Sequence, residues 1–116
     1  MNQTLHSKNC LITGATGGLG KEIAKEFAKN GCNLFLTAQN KEKLNLLKNE
    51  LELNQNSIKI DFEAVDLSST HQIQKLVERT KNSFSHIDIL QSFVFMTLPV
   101  PIGVLNLLIF IKKFFL

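Results

Sequence analysis

Asn9-Cys10-Leu11-Ile12-Thr13-Gly14-Ala15-Thr16-Gly17-Gly18-Leu19-Gly20 passes from a short apolar run into a turn holding four glycines. The run predicts a buried strand, and the glycines predict a tight turn at its end. Beyond the turn Leu19, Ile23 and Phe27 recur every four residues, with Ala24 and Ala28 beside them. That spacing predicts a helix with one narrow buried stripe, stopped by Asn30-Gly31. A strand that enters a helix through glycines makes an anion site. The first-turn N–H groups have no intrahelical partner, the helix dipole is positive there, and missing side chains let a phosphate chain approach the backbone. The spacing Gly14-x-x-x-Gly18-x-Gly20 is neither G-x-G-x-x-G nor a P-loop, since no Gly-Lys-Ser/Thr follows. Read alone, the turn is either a phosphate cradle or only a tight connection.

Working outward, Asn33-Leu34-Phe35-Leu36-Thr37 predicts a second buried strand, and Asn40 caps a second helix with Leu44, Leu47 and Leu51 on one face. From Ser57 to Val65, Ile58, Ile60, Phe62 and Ala64 alternate with Lys59, Asp61 and Glu63, which predicts a third strand with one wet face. Ser69 with Gln72 three residues on reads as a capping box. The helix it starts carries Ile73, Leu76, Val77 and Phe84, and Ile87-Asp88-Ile89-Leu90 begins a fourth strand. The order β-α-β-α-β-α-β implies a parallel sheet with right-handed crossovers. In the doubly wound order 3-2-1-4 the third strand lies on an edge, where Asp61 and Glu63 guard against unwanted pairing. That accounts for both carboxylates without assigning them acid–base work.

The 116 residues allow one domain, and 44% apolar with 20% charged residues argues against disorder. Of the net charge of +3, residues 1–90 contribute only 11 basic against 10 acidic side chains, and Lys112 and Lys113 supply the rest. Lys21, Glu22, Lys25, Glu26 and Lys29 alternate in sign as a solvated helix face does, so no basic stripe suits nucleic acid. Two cysteines cannot form a disulfide framework; Cys10 and Cys32, on the first two strands, read as buried thiols in a reducing compartment. His6, His71 and His86 lack metal-ligand spacing and read as surface residues. The first 12 residues carry no signal pattern, so the expected location is cytoplasmic.

Three segments, in order, resemble the short-chain dehydrogenase/reductase family. Thr13-Gly14-Ala15-Thr16-Gly17-Gly18-Leu19-Gly20 is similar to that family's T-G-x-x-x-G-x-G cofactor turn. Asp66-Leu67 is similar to its Asp-Leu/Val pair that holds the adenine amino group, and Ile87-Asp88-Ile89-Leu90 to the I-D-I-L strand before its N-N-A-G segment. The resemblance implies a Rossmann-like doubly wound α/β domain over residues 1–90, with about four parallel strands and three helices, that binds NAD(P). Gly14, Gly18 and Gly20 then admit the pyrophosphate, with Thr16 and Leu19 in the same turn, Gln39 after the second strand, and Asp66 and Leu67 at the adenine. NAD-preferring relatives carry an acid at the end of the second strand, where Ala38 stands here. Relatives preferring NADP often carry an Arg beside it or in the glycine turn, where Gln39 and Gly17 stand. The missing acid leans the site to NADP, with Lys41 as a phosphate contact.

The resemblance fails after Leu90. The N-N-A-G positions, Ser92 to Phe95, read Ser-Phe-Val-Phe. The family's catalytic Ser and its Y-x-x-x-K pair have no counterpart, and the sequence contains no tyrosine at all. No catalytic residue and no metal ligand is therefore assigned, and the family's proton donor, a tuned acid, is missing. From Ile89 to Ile111 there are 23 residues without a charged side chain, and five of the nine phenylalanines fall in the last 26 residues. Residues 91–116 admit three readings. One is a membrane anchor over 89–111, long enough for a bilayer but broken by Pro99 and Pro101, which remove helical hydrogen bonds. The second is a packing substitute over an exposed sheet face. The third is an out-of-frame continuation that leaves the family domain truncated, and the abrupt loss of family motifs favours it.

Overall fold

The structure is a computed structural model that describes residues 5–54 and 57–92. Seven elements alternate along it: β1 (Asn9–Thr13), α1 (Gly18–Lys29), β2 (Asn33–Ala38), α2 (Lys41–Asn54), β3 (Ile60–Ala64), α3 (Thr70–Ser83) and β4 (Ile89–Ser92). The strands form one parallel sheet in the order β3-β2-β1-β4. This is the doubly wound arrangement expected from the alternation. β1 and β2 lie in its middle and are apolar on both faces because helices cover both.

On one face Cys10, Ile12, Leu34, Leu36 and Ile60 pack under Ala24 and Ala28 of α1 and Leu44, Leu47 and Leu51 of α2. On the other, Leu11, Phe35, Val65 and Ile87 pack under Ile73 and Leu76 of α3 and under Phe84. The rings of Phe35 and Phe84 meet edge to face with centroids 6.3 Å apart. Phe84 is thus core as expected, yet it lies past the helix: it is the extended C-cap of α3.

The buried stripe of α1 differs from the predicted one. Gly20, Ala24 and Ala28 are buried, Ile23 and Phe27 flank them half-buried, and Leu19 is 64% exposed. Small residues win because the helix lies close against the sheet, so its contact line is set by backbone approach rather than by side-chain size. Asn40 caps α2 as expected, its Oδ1 accepting from the Lys43 N–H at 3.0 Å. The Ser69 hydroxyl likewise accepts from the Gln72 N–H, but the Gln72 side chain turns to the Asp66 N–H at 2.8 Å instead of back to Ser69, so only half of the capping box forms.

Both cysteines are buried free thiols, although Cys32 precedes β2 rather than lying in it. Burial first, then the neighbouring Cys32, pushes the Cys10 thiol up to about 12, which leaves it inert. His6, His71 and His86 are exposed. At the N-terminal ends of the strands two asparagines tie the sheet together. Asn33 Oδ1 accepts from the Lys59 N–H, Asn33 Nδ2 donates to Asn9 Oδ1, and Asn9 Nδ2 donates to the His86 carbonyl. No helix among the described residues is long and apolar enough to cross a membrane. The first four residues of the 89–111 run belong to β4, and residues 93–116, with the readings of the tail, lie outside the described residues.

The third strand corrects the expectation of a wet face. β3 does lie on the edge, but Asp61 and Glu63 are half-buried beneath α3. Arg79 donates to Glu63 Oε2 at 2.9 Å and to Asp61 Oδ1 at 3.2 Å, Ser83 donates to Asp61 Oδ2 at 2.6 Å, and Lys75 lies 3.2 Å from Glu63 Oε1. Alternation detects a polar face but cannot tell water from a covering helix that brings its own cation. Burial raises the Asp61 carboxyl. The hydrogen bonds from Ser83 and the Phe62 N–H, with the charges of Arg79 and Lys48, outweigh burial and hold it below its ordinary 3.8. Because the folded value is the lower one, the resulting stability is present in full above 3.8 and is lost as pH falls through the folded value. Denaturant unfolding at pH 7 and pH 3 should show a larger loss for the unaltered chain than for Asp61→Asn. Arg79→Ala should cost about 1–2 kcal/mol at pH 7, less than a fully buried pair, because solvent reaches the guanidinium.

Candidate functional site

All four strands run the same way, so their C-terminal ends share one sheet edge. That edge carries the glycine turn after β1, Gln39 after β2 and Asp66 after β3. In open parallel sheets this is the edge where ligands bind. The glycine turn is anchored there by the Ala15 N–H, which donates to the Thr37 carbonyl at 3.2 Å, and closed by the Gly17 N–H, which donates to the Gly14 carbonyl at 3.2 Å. Gly14 has φ +65°, the left-handed region that glycine enters without a Cβ penalty.

Two glycines of the turn do opposite work. A Cβ on Gly20 would run into the Gly14 carbonyl oxygen and stand 3.0 Å from its carbon and 3.1 Å from Ala15 Cα. Its absence lets α1 rest on the end of β1. A Cβ on Gly18 would meet nothing within 4 Å, so that side of the turn is bare backbone facing open space. Gly17 is the N-cap of α1 and has no side chain to accept a hydrogen bond; no acid lies in the first turn. The N–H groups of Gly18, Leu19 and Gly20 have no intrahelical acceptor by helix geometry, and the positive end of the dipole stays uncompensated within the helix. An anion bearing several oxygens suits such a surface.

Asp66 stands at the same edge, two residues past the end of β3. Its Oδ1 accepts from the Ser68 N–H at 2.9 Å and the Ser68 hydroxyl at 2.7 Å. Those two bonds, the N–H first, hold the carboxyl below the usual range. The carboxylate is thus charged and oriented, and Oδ2 has no partner among the described residues. Leu67 is half-buried against the α3-side core. Gln39 is exposed on the bend that follows β2, and Thr16 is half-buried. Beside Thr16 a cavity of about 190 Å³ opens between α1 and α2, lined by Thr16, Lys21, Lys43, Leu46, Leu47 and Glu50. Glu50 is held charged by Lys25 at 3.1 Å and Lys21 at 3.4 Å, which together lower its carboxyl.

The pattern of the short chain dehydrogenase family matches residues 8–101. The chain belongs to that family. It is 35% identical over 88 residues to the WW domain-containing oxidoreductase of Drosophila melanogaster, covering 74% of this chain and 22% of the relative. The chain spans between 18% and 36% of the length of such curated relatives. Among solved structures, L-sorbose reductase from Gluconobacter frateurii, complexed with NADPH and L-sorbose, superposes with a TM-score of 0.82 at 22% identity, over 97% of this chain and 49% of that one. A short chain dehydrogenase/reductase from Burkholderia phymatum, in complex with NAD, superposes with a TM-score of 0.68 at 24% identity, over 78% and 31%.

In this family member, Gly14, Thr16, Gly18, Leu19 and Gly20 lie together where β1 enters α1, and Gln39 and Asp66 follow the next two strands at the same ends. Lys41, singled out from its position after the second strand, is exposed and does not line the cavity. Lys43 does, and sequence reasoning passed over it. The signal for it was the Asn40 cap, which places residue 43 in the first turn of α2. Gly17, which stands where relatives preferring NADP often carry an arginine, is the bare N-cap of α1.

The two glycines give a paired test. Replacing a helical Gly by Ala gains up to about 1 kcal/mol of helix propensity. At Gly20 the obstructing atoms are backbone and cannot yield, so overpacking of about 1–3 kcal/mol or more prevails. Gly20→Ala should lower the thermal midpoint, and Gly18→Ala should leave it unchanged or slightly higher.

Proposed function

We propose that this chain binds a nicotinamide dinucleotide at the glycine turn, with NADP preferred over NAD, and acts as the cofactor-binding part of a short-chain oxidoreductase. The observation that carries the reading is the bare backbone at Gly18 above the uncompensated N-terminus of α1. A pyrophosphate fits it: the oxygens take the free N–H groups of Gly18, Leu19 and Gly20, and no side chain intervenes. Gly14 and Gly20 act by letting helix and strand meet, so the N–H groups point at one place. Thr16 and Gln39 border the adenosine side, and Asp66 with Leu67 receives the adenine, the carboxylate accepting from its amino group. Two solved structures of similar fold, complexes with NADPH and with NAD, support the cofactor class. The lean to NADP rests on Ala38 and Gln39, since neither offers a carboxylate to ribose hydroxyls.

When bound, the cofactor supplies hydride chemistry. The chain's own residues bind and orient it; none serves as proton donor, because the sequence has no tyrosine and no counterpart of the family's Y-x-x-x-K pair. Cofactor binding without turnover of a carbonyl substrate is therefore the activity proposed for these 116 residues, with residues 1–90 as the binding unit and 91–116 as a separate tail. Two buried free thiols fit a reducing, cytoplasmic setting.

Titration of the purified chain with NADPH, followed by nicotinamide fluorescence, should give a saturable change, and none at millimolar cofactor would overturn the reading. Gly18→Val should remove at least about tenfold of the affinity while the far-ultraviolet circular dichroism stays unchanged.

A further inference from the structure

β3 ends the sheet on one side, so one side of its backbone has no neighbouring strand in the sheet. Its pairing with β2 fixes which groups face out. The Leu34 N–H donates to the Lys59 carbonyl at 2.9 Å, and the Val65 N–H donates to the Ala38 carbonyl at 2.8 Å. Alternate residues 59, 61, 63 and 65 therefore face β2, and Ile60, Phe62 and Ala64 turn their N–H and C=O groups outward. Phe62, the middle residue of the strand, has both outward groups held by side chains. Its N–H donates to Asp61 Oδ1 at 2.8 Å, and its carbonyl accepts from Arg79 Nη2 at 3.3 Å. Arg79 Nη2 also lies 3.2 Å from Asp61 Oδ1, so one ion pair closes over the centre of the edge.

We propose that the β3 edge is a self-pairing surface, and that Asp61 and Arg79 keep a second copy of this chain from joining it by holding the Phe62 backbone. The occupant follows from the register. Two β3 strands set antiparallel about a twofold axis at Phe62 place Phe62 opposite Phe62 and Ile60 opposite Ala64, all of them hydrogen-bonding pairs. The two Phe62 residues would then exchange N–H and C=O groups, the same groups that Asp61 and Arg79 hold. Charge acts in the same direction. Asp61 would stand opposite Glu63 of the second copy, and like charges directly opposite destabilise pairing. Glu63 itself is turned to Arg79 and Lys75, so the two acids of this strand differ: Asp61 closes the edge by a bond and by charge, Glu63 by charge alone.

Hydrogen exchange of the full chain, followed at the Phe62 N–H in dilute and in concentrated solution, reads the edge directly. In the unaltered chain the rate should not depend on concentration. Asp61→Ala combined with Arg79→Ala frees both Phe62 groups without changing the net charge. There the exchange should slow at least about tenfold on concentration, with a dimer in sedimentation velocity. Glu63→Gln combined with Lys75→Gln also removes one acid and one base but leaves Phe62 held, and it should behave as the unaltered chain does. Asp61→Ala alone frees only the N–H. It should slow to a lesser degree, and it carries the test if circular dichroism shows the first double variant unfolded. Exchange that ignores concentration in a folded open variant overturns the proposal. Equal slowing in the Glu63 and Lys75 variant, or slowing in the unaltered chain, overturns it as well.

Discussion

The close approach of α1 to the end of β1 governs the molecule. At that crossing the Gly20 Cα hydrogens lie against the Gly14 carbonyl, and no larger residue fits. The approach sets which residues of α1 become core: Ala24 and Ala28 touch the sheet, while Ile23 and Phe27 are pushed to its flanks. It also sets the site. A helix held this near the strand end aims its first N–H groups across the sheet edge, with Gly18 left bare on the outer side. Packing and the proposed ligand binding thus depend on two glycines separated by Leu19, Gly20 for contact inside and Gly18 for access outside.

The remaining polar chemistry is divided between the two ends and the edge of the sheet. At the N-terminal ends the Asn33 and Asn9 amides satisfy backbone groups that would otherwise lack partners, stitching β3, β2, β1 and the approach to β4. At the edge strand Arg79 bridges two half-buried carboxylates, with Lys75 beside Glu63, and pins α3 over β3. At the C-terminal ends the first-turn N–H groups of α1 lack intrahelical acceptors, and Ser68 orients the Asp66 carboxylate through Oδ1. The proposed cofactor site lies at that end because a parallel sheet points all its loops after strands to one side.

Much of the fold could be read from periodicity. Strands β1 and β2, the leucine face of α2 and the Asn40 cap are where the residue pattern puts them, since a short-range signal decides each. Three features were not legible for long-range reasons. Leu19 fits the spacing of a buried stripe but is exposed, because the helix meets the sheet through its glycine and alanines. Asp61 and Glu63 alternate as a wet face does, yet a cation sixteen or more residues away covers them. Gln72 fits a capping box but its amide reaches Asp66, which the strand-to-helix loop brings nearer.

For the site, residue types and order alone determined the glycine turn, the acid after the third strand and the family to which the chain belongs. That these 116 residues contain no tyrosine is equally a fact of sequence. Tertiary structure alone decided that Gly18 is open while Gly20 is closed, and that Lys43 rather than Lys41 borders the cavity. The physical reason is the same in each case: spacing along a chain tells which residues can share an element, but only the packing of one element on another tells which of them face each other.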